Sequence, residues 1–146
     1  MIKAESFLKY LCGVLEFRFI SGFSNLGFNI LYNSFDPSIL HYIPATSVNT
    51  ALGMVTGASI GGVKSVLLLG EDQFDAIKYK IIDINSYNNI PIMVIVLCSN
   101  TYKPGNRLFK YFKVKEDFIS ILKKANSYID KEQKPCVLLL DEEALV

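Results

Sequence analysis

The period of the apolar positions changes repeatedly along the chain, and each change marks an element. Residues 2–15 place Phe7, Leu8, Leu11 and Leu15 on one face and Lys3, Glu5 and Lys9 elsewhere, which predicts an amphipathic helix. Phe17 to Ile20 reads as a short strand, interrupted by Arg18 and broken at Ser21-Gly22. A second helix is expected to begin at Ser24, a good N-cap, and to end between Asn33 and Pro37, with a second strand at Ile39 to Ile43.

The stretch from His41 to Gly70 organises the rest, because it holds a strand, a turn, a helix and another strand. The first strand ends at Pro44, Thr46 or Ser47 offers an N-cap hydroxyl, and Val48, Leu52 and Val55 recur at helical spacing. Gly53 and Gly57 sit one turn apart on that helix. Each costs about 1 kcal/mol against alanine, so close packing of the helix backbone on the sheet is the expected reason for both. Val66 to Leu69 is a continuous apolar run, the pattern of a strand covered on both faces.

Beyond Gly70, Ile77, Ile81, Ile82 and Ile84 supply the apolar face of a helix that Asp72 can cap and Asn88-Asn89 closes. Pro91 to Leu97 is the most hydrophobic strand, and the loop after it carries the turn signal Pro104-Gly105. Leu108 to Val114 alternates apolar and basic residues, as a half-exposed edge strand does. Glu116 to Ile129 is a last amphipathic helix, Pro135 to Leu140 a last strand, and an acidic tail follows. Six strands thus alternate with five helices, which predicts a three-layer α/β/α fold on a mainly parallel sheet. Ligands of such sheets sit beyond the carboxyl ends of the strands. That rule nominates Gly22 to Asn25, Thr46 to Asn49, Gly70 to Gln73 and Ser99 to Tyr102.

Composition narrows the picture. The 146 residues are enough for one domain with a real core, and 51% of them are hydrophobic. Fifteen basic residues against fourteen acidic ones leave no global field for nucleic acid or an anionic membrane. A mean hydropathy of +0.30 is high for a lone chain of this size, which points to a partner chain. Cys12, Cys98 and Cys136 lie inside apolar runs and read as reduced core thiols of a cytoplasmic protein. Lys9 and Glu16 interrupt any signal-peptide core, and the longest apolar run, Ile90 to Cys98, is too short to span a bilayer.

Other constellations carry little. His41 is the single histidine, with no hydroxyl or thiol placed to form a triad, and no cluster of ligand residues makes a case for a metal. Gly57 to Gly62 lacks the lysine of a phosphate-binding loop and ends a helix instead of starting one. Lys103, Arg107, Lys110, Lys113 and Lys115 interleave with Tyr102, Phe109, Tyr111 and Phe112. On a neutral protein that strip reads as an edge strand blunted by charge before it reads as a nucleic-acid footprint.

The run Pro44-x-Thr46, the helix carrying Ala51-Leu52-Gly53-Met54-Val55-Thr56-Gly57-Ala58, and the apolar strand after it resemble the pyrimidine-binding (PYR) domain of thiamine diphosphate enzymes. Nearest in pattern are the short α subunits of sulfopyruvate decarboxylase and the related phosphonopyruvate decarboxylases. The likeness takes in nearly the whole chain, including Asn25-Leu26, Ile90-Pro91 and Lys134-Pro135-Cys136.

The resemblance implies a PYR-like chain over 1–146, completed in a hetero-oligomer by a β subunit whose PP domain holds the diphosphate and magnesium. Thiamine diphosphate would be the cofactor and a small anionic 2-oxo acid, 3-sulfopyruvate or 3-phosphonopyruvate, the substrate of decarboxylation. It places Gly22, Ser24, Asn25, Thr46, Val48, Glu71 and Asp72 at the cofactor and no metal ligand on this chain. Gly70-Glu71-Asp72 with Asn85, Asn88 and Asn89 echoes the Gly-Asp-Gly…Asn-Asn metal motif, but the second glycine is missing and the spacing is short.

The chain departs from the family at two places. The family's PYR glutamate hydrogen-bonds N1′ of the aminopyrimidine and helps remove the thiazolium proton; counting back nine residues from Gly57 puts Val48 there. The glyoxylate carboligase branch also carries valine at this place, so an enzyme remains open; the other reading is a non-catalytic, degenerate PYR-like scaffold that binds no cofactor. Where the family has a small, glycine-rich loop, this chain has Glu71-Asp72-Gln73-Phe74, which would crowd a cofactor, alter the substrate or supply new functional groups.

Overall fold

The computed structural model describes residues 1–23, 28–105 and 107–146. Six strands form one sheet: β1 (Phe19–Phe23), β2 (His41–Ala45), β3 (Ser65–Gly70), β4 (Met93–Cys98), β5 (Lys110–Lys113) and β6 (Cys136–Asp141). Their order is β2-β1-β3-β4-β6-β5 and every pairing is parallel, so the mainly parallel sheet of the expectation is parallel throughout.

The helices follow the predicted order. They are α1 (Ala4–Leu8, continued as a π-helical turn over Lys9–Val14), α2 (Asn29–Asn33), α3 (Val48–Ile60), α4 (Glu71–Ile81, with a π turn over Ile82–Ser86) and α5 (Phe118–Glu132). Alternation of side chains along the inner strands explains why these runs are apolar without interruption. Val66, Leu68, Met93, Ile95 and Leu138 face a core shared with α1, α2 and α5, whereas Leu67, Leu69, Val94, Val96 and Val137 face one shared with α3 and α4.

Several boundaries move. Ser21-Gly22 does not break β1 but lies inside it, because Gly22 is paired with both Pro44 of β2 and Leu68 of β3. The expected start of α2 at Ser24 lies outside the described residues. The cap of α3 is Ser47, whose hydroxyl oxygen accepts the Thr50 N–H at 3.1 Å. Glu71, not a residue after Asp72, opens α4, and the Gln73 side-chain oxygen accepts the Gly70 N–H at 2.9 Å.

Gly53 and Gly57 are exposed, and a β-carbon added at either meets nothing within 4 Å, so packing on the sheet does not account for them. The acidic tail is part of the fold. Glu142–Ala144 form a 3₁₀ turn and Leu145 bridges to Ile2, with the Ile2 N–H donated to the Ala144 carbonyl at 2.7 Å. Among the described residues no helix is long and apolar enough to cross a membrane.

Candidate functional site at the strand tips

The chain leaves β1 outward to β2 and returns across β1 to β3, so its direction reverses between β1 and β3. In an open parallel sheet the crevice outside the carboxyl ends of two such strands is where a ligand finds room. Gly22 closes the tip of β1 against β3. Gly70 ends β3, and α4 starts at the next residue, so Glu71 and Asp72 stand in its first turn. There they complement the helix's positive end.

A hollow of about 310 Å³ opens at the tips of β3, β4 and β6, lined by Phe28, Gly70, Glu71, Asp72, Gln73, Leu97, Cys98, Ser99 and Glu142. Glu71 is half-buried and one of its carboxylate oxygens, Oε2, accepts the Ser99 N–H at 3.2 Å, which ties the tip of β3 to that of β4. Asp72 and Glu142 are exposed. None of the three carboxylates has an ion-pair partner among the described residues. Burial, with Glu71 and Asp141 nearby, pushes the Cys98 thiol up to about 11, so it stays protonated and is no nucleophile at neutral pH.

The other nominated residues divide. Thr46 is exposed in the bend between β2 and α3. Val48 is half-buried in the first turn of α3 and packs against the apolar cluster that contains Ala51, Leu52, Leu69 and Phe74. It presents methyl groups and no hydrogen-bonding atom, which fits a wall and not an acid–base role. Ser24 and Asn25 lie outside the described residues. Tyr102 donates its hydroxyl to Asp75 at 2.8 Å, and burial first, then that bond, raises its pKa.

His41 is exposed on the edge strand β2, and among the described residues no group of histidine, cysteine and carboxylate side chains is arranged to hold a metal. The basic strip is no stacking platform. Phe109 and Tyr111 pack into the core on one face of the sheet and Phe112 on the other, leaving Lys110 and Lys113 exposed along the edge.

Sequence reasoning missed Phe28, Leu97, Cys98 and Glu142 as lining residues. Extending the strand-end rule to β6 would have nominated Glu142, which follows that strand directly. It also missed the outer face of α3. This helix has no charged residue in Val48–Ile60, yet Asn49, Thr50, Gly53 and Gly57 are exposed on it, and Ile60 is 69% exposed. A helix that is apolar or neutral all round is ordinarily covered on both sides.

No family model matches the sequence, and no curated protein matches it. Solved structures do match the fold. A 2-oxoglutarate:ferredoxin oxidoreductase from Magnetococcus marinus aligns over 95% of this chain and 28% of its own, at 15% identity and a TM-score of 0.76. Benzoylformate decarboxylase from Polynucleobacter necessarius aligns over 98% of this chain and 30% of its own, at 15% identity and TM-score 0.76. A putative thiamin diphosphate-dependent enzyme from Mycobacterium smegmatis aligns over 96% and 32%, at 16% identity and TM-score 0.64. The chain therefore spans less than a third of each of these proteins and shares their fold.

Proposed function

We propose that this chain is the pyrimidine-binding half of a thiamine diphosphate site, an α-type subunit completed by a PP-domain β subunit that holds the diphosphate and its magnesium. The reaction is decarboxylation of a small anionic 2-oxo acid, 3-sulfopyruvate or 3-phosphonopyruvate, to the aldehyde. The observation that carries this reading is the match of nearly the whole chain to under a third of benzoylformate decarboxylase and of a putative thiamin diphosphate-dependent enzyme. The uncovered, charge-free outer face of α3 supports a second chain beside the strand tips.

Thiamine diphosphate, when bound, supplies the carbon nucleophile and the electron sink for loss of carbon dioxide. This chain's part is to seat the ring. Val48 and the cluster beneath it give an apolar wall at the start of α3, and the Glu71 carboxylate gives a hydrogen-bond acceptor in the separate hollow at the tips of β3, β4 and β6, which Val48 does not line. Position 48 offers the aminopyrimidine no hydrogen-bond acceptor.

The test is co-expression with a partner carrying a Gly-Asp-Gly…Asn-Asn motif, then calorimetric titration with thiamine diphosphate and magnesium and assay of both 2-oxo acids. Stoichiometric cofactor uptake with carbon dioxide release supports the reading. A complex that forms and takes up no cofactor overturns it, in favour of the second reading, a non-catalytic PYR-like scaffold. The methyl groups of Val48 at the position of the family's glutamate favour that second reading.

A further inference from the structure

We infer that the amino ends of β1, β2 and β3 carry a binding site for the oxyanion of a small organic molecule, a carboxylate or phosphate group on an apolar body, anchored by Arg18. The inference does not depend on the reading proposed above. Parallel pairing sets Phe19 level with both His41 and Ser65, which brings Arg18, His41 and Lys64 together where three neighbouring strands begin. The backbone fixes that row: the His41 N–H is donated to the Arg18 carbonyl at 2.7 Å, and the Arg18 N–H to the Lys64 carbonyl at 3.0 Å. A hollow of about 450 Å³ opens there, with Glu16, Arg18, Ile39, His41 and Val63 in its lining. That volume lies in the range that takes a small organic ligand.

Arg18 is half-buried and poorly satisfied. Its Nη1 lies 3.5 Å from the Ile39 carbonyl oxygen and its Nη2 3.6 Å from Glu16 Oε1, both longer than a good hydrogen bond. A guanidinium presents five N–H donors in a planar fork, which two oxygens of one carboxylate or phosphate meet together. Glu16 competes weakly, because its side chain is 68% exposed and an ion pair in water contributes little. The His41 imidazole has no hydrogen-bond or ion-pair partner among the described residues, so its N–H is free for the same anion. The Lys64 ammonium is committed to the Leu15 carbonyl and Asn126 Oδ1, and this residue serves the hollow as wall. Pro37, Ile39 and Val63 supply the apolar surface for the body of the ligand.

Phenyl phosphate and benzoate are the probes, with inorganic phosphate beside them, each titrated into the chain at about 0.15 M sodium chloride to screen diffuse surface attraction. Amide shifts in nitrogen-15 NMR spectra report the binding. Saturable shifts at Arg18, Ile39 to His41 and Val63 are expected with phenyl phosphate, benzoate or both, and the stronger of the two names the head group. Arg18→Gln should weaken the better probe about tenfold or more, and Glu16→Gln, which removes the competing carboxylate, should tighten it about twofold to fivefold. No saturable shift with either organic probe, an affinity unchanged in Arg18→Gln, or inorganic phosphate bound as tightly as phenyl phosphate would each overturn the inference. Should Arg18→Gln fail to fold, Glu16→Gln decides alone, and an affinity no higher than the parent's overturns it.

Discussion

A β-carbon at position 22 would stand 2.6 Å from the carbonyl oxygen of Leu68, the residue opposite Gly22 in the pairing of β1 with β3. The obstacle is backbone in the middle of a sheet, so it cannot swing aside as a side-chain tip can. Gly22→Ala is expected to cost roughly 1–3 kcal/mol, the usual penalty of overpacking. Urea denaturation with an unchanged slope measures it, and an unchanged midpoint would mean that the β1–β3 spacing relaxes freely.

Gly53 and Gly57 should behave in the opposite way. Each faces open space on a helix, so alanine there is expected to stabilise the isolated chain by about 0.8–1 kcal/mol per site. If the outer face of α3 is the seat of a partner, the same substitutions add bulk where the two surfaces meet and weaken the complex. Thermal melts of the chain alone, set beside sedimentation of the complex, separate the two effects. Stabilisation without any loss of association would place the partner elsewhere.

How far the fold was legible depended on what each residue answers to. The inner strands announced themselves, because Val66 to Leu69 and Met93 to Leu97 are covered on both faces and only apolar side chains fit. The edge strand β5 was equally readable from its lysines. Gly22 misled, since a glycine in a strand and a glycine in a turn look alike until the neighbouring strand is known. Gly53 and Gly57 misled for a related reason: the period that puts Leu52 and Val55 inward turns these two outward, and a helix pattern does not say whether the outside is water or protein. Glu71 and Asp72 were nominated by the strand-end rule, and Glu142 was within reach of the same rule applied to β6, whereas Phe28 reaches the hollow only through the tertiary packing.

Lys64 is a test of packing away from the site. Its ammonium donates to the Leu15 carbonyl at 2.8 Å and to Asn126 Oδ1 at 2.5 Å, and sits 4.4 Å from the centre of the Phe17 ring. It thus ties the end of α1 to the start of β3 and to α5. Lys64→Met keeps the aliphatic stem and strands both acceptors, so a loss of about 1–3 kcal/mol is expected. A loss within a few tenths of a kcal/mol would mean that water replaces the ammonium at no cost.

Alkaline pH should unfold the protein through its thiols. Burial pushes Cys12 and Cys136 from 9.0 up to about 12 and Cys98 up to about 11. The folded state therefore keeps protons that the unfolded chain gives up. The stability tied to these groups is fully present below 9.0, and it drains as pH rises through the folded values. At about pH 10 the three together cost roughly 4 kcal/mol. Lys64 acts in the other sense: burial lowers its pKa, so in that window the unfolded state binds the extra proton and stability rises with pH. Melting temperatures recorded from neutral to about pH 10 should fall, more steeply in Lys64→Met and less steeply in Cys136→Ala. A flat profile in the parent chain would show that the thiols ionise as readily in the folded state as in the unfolded one.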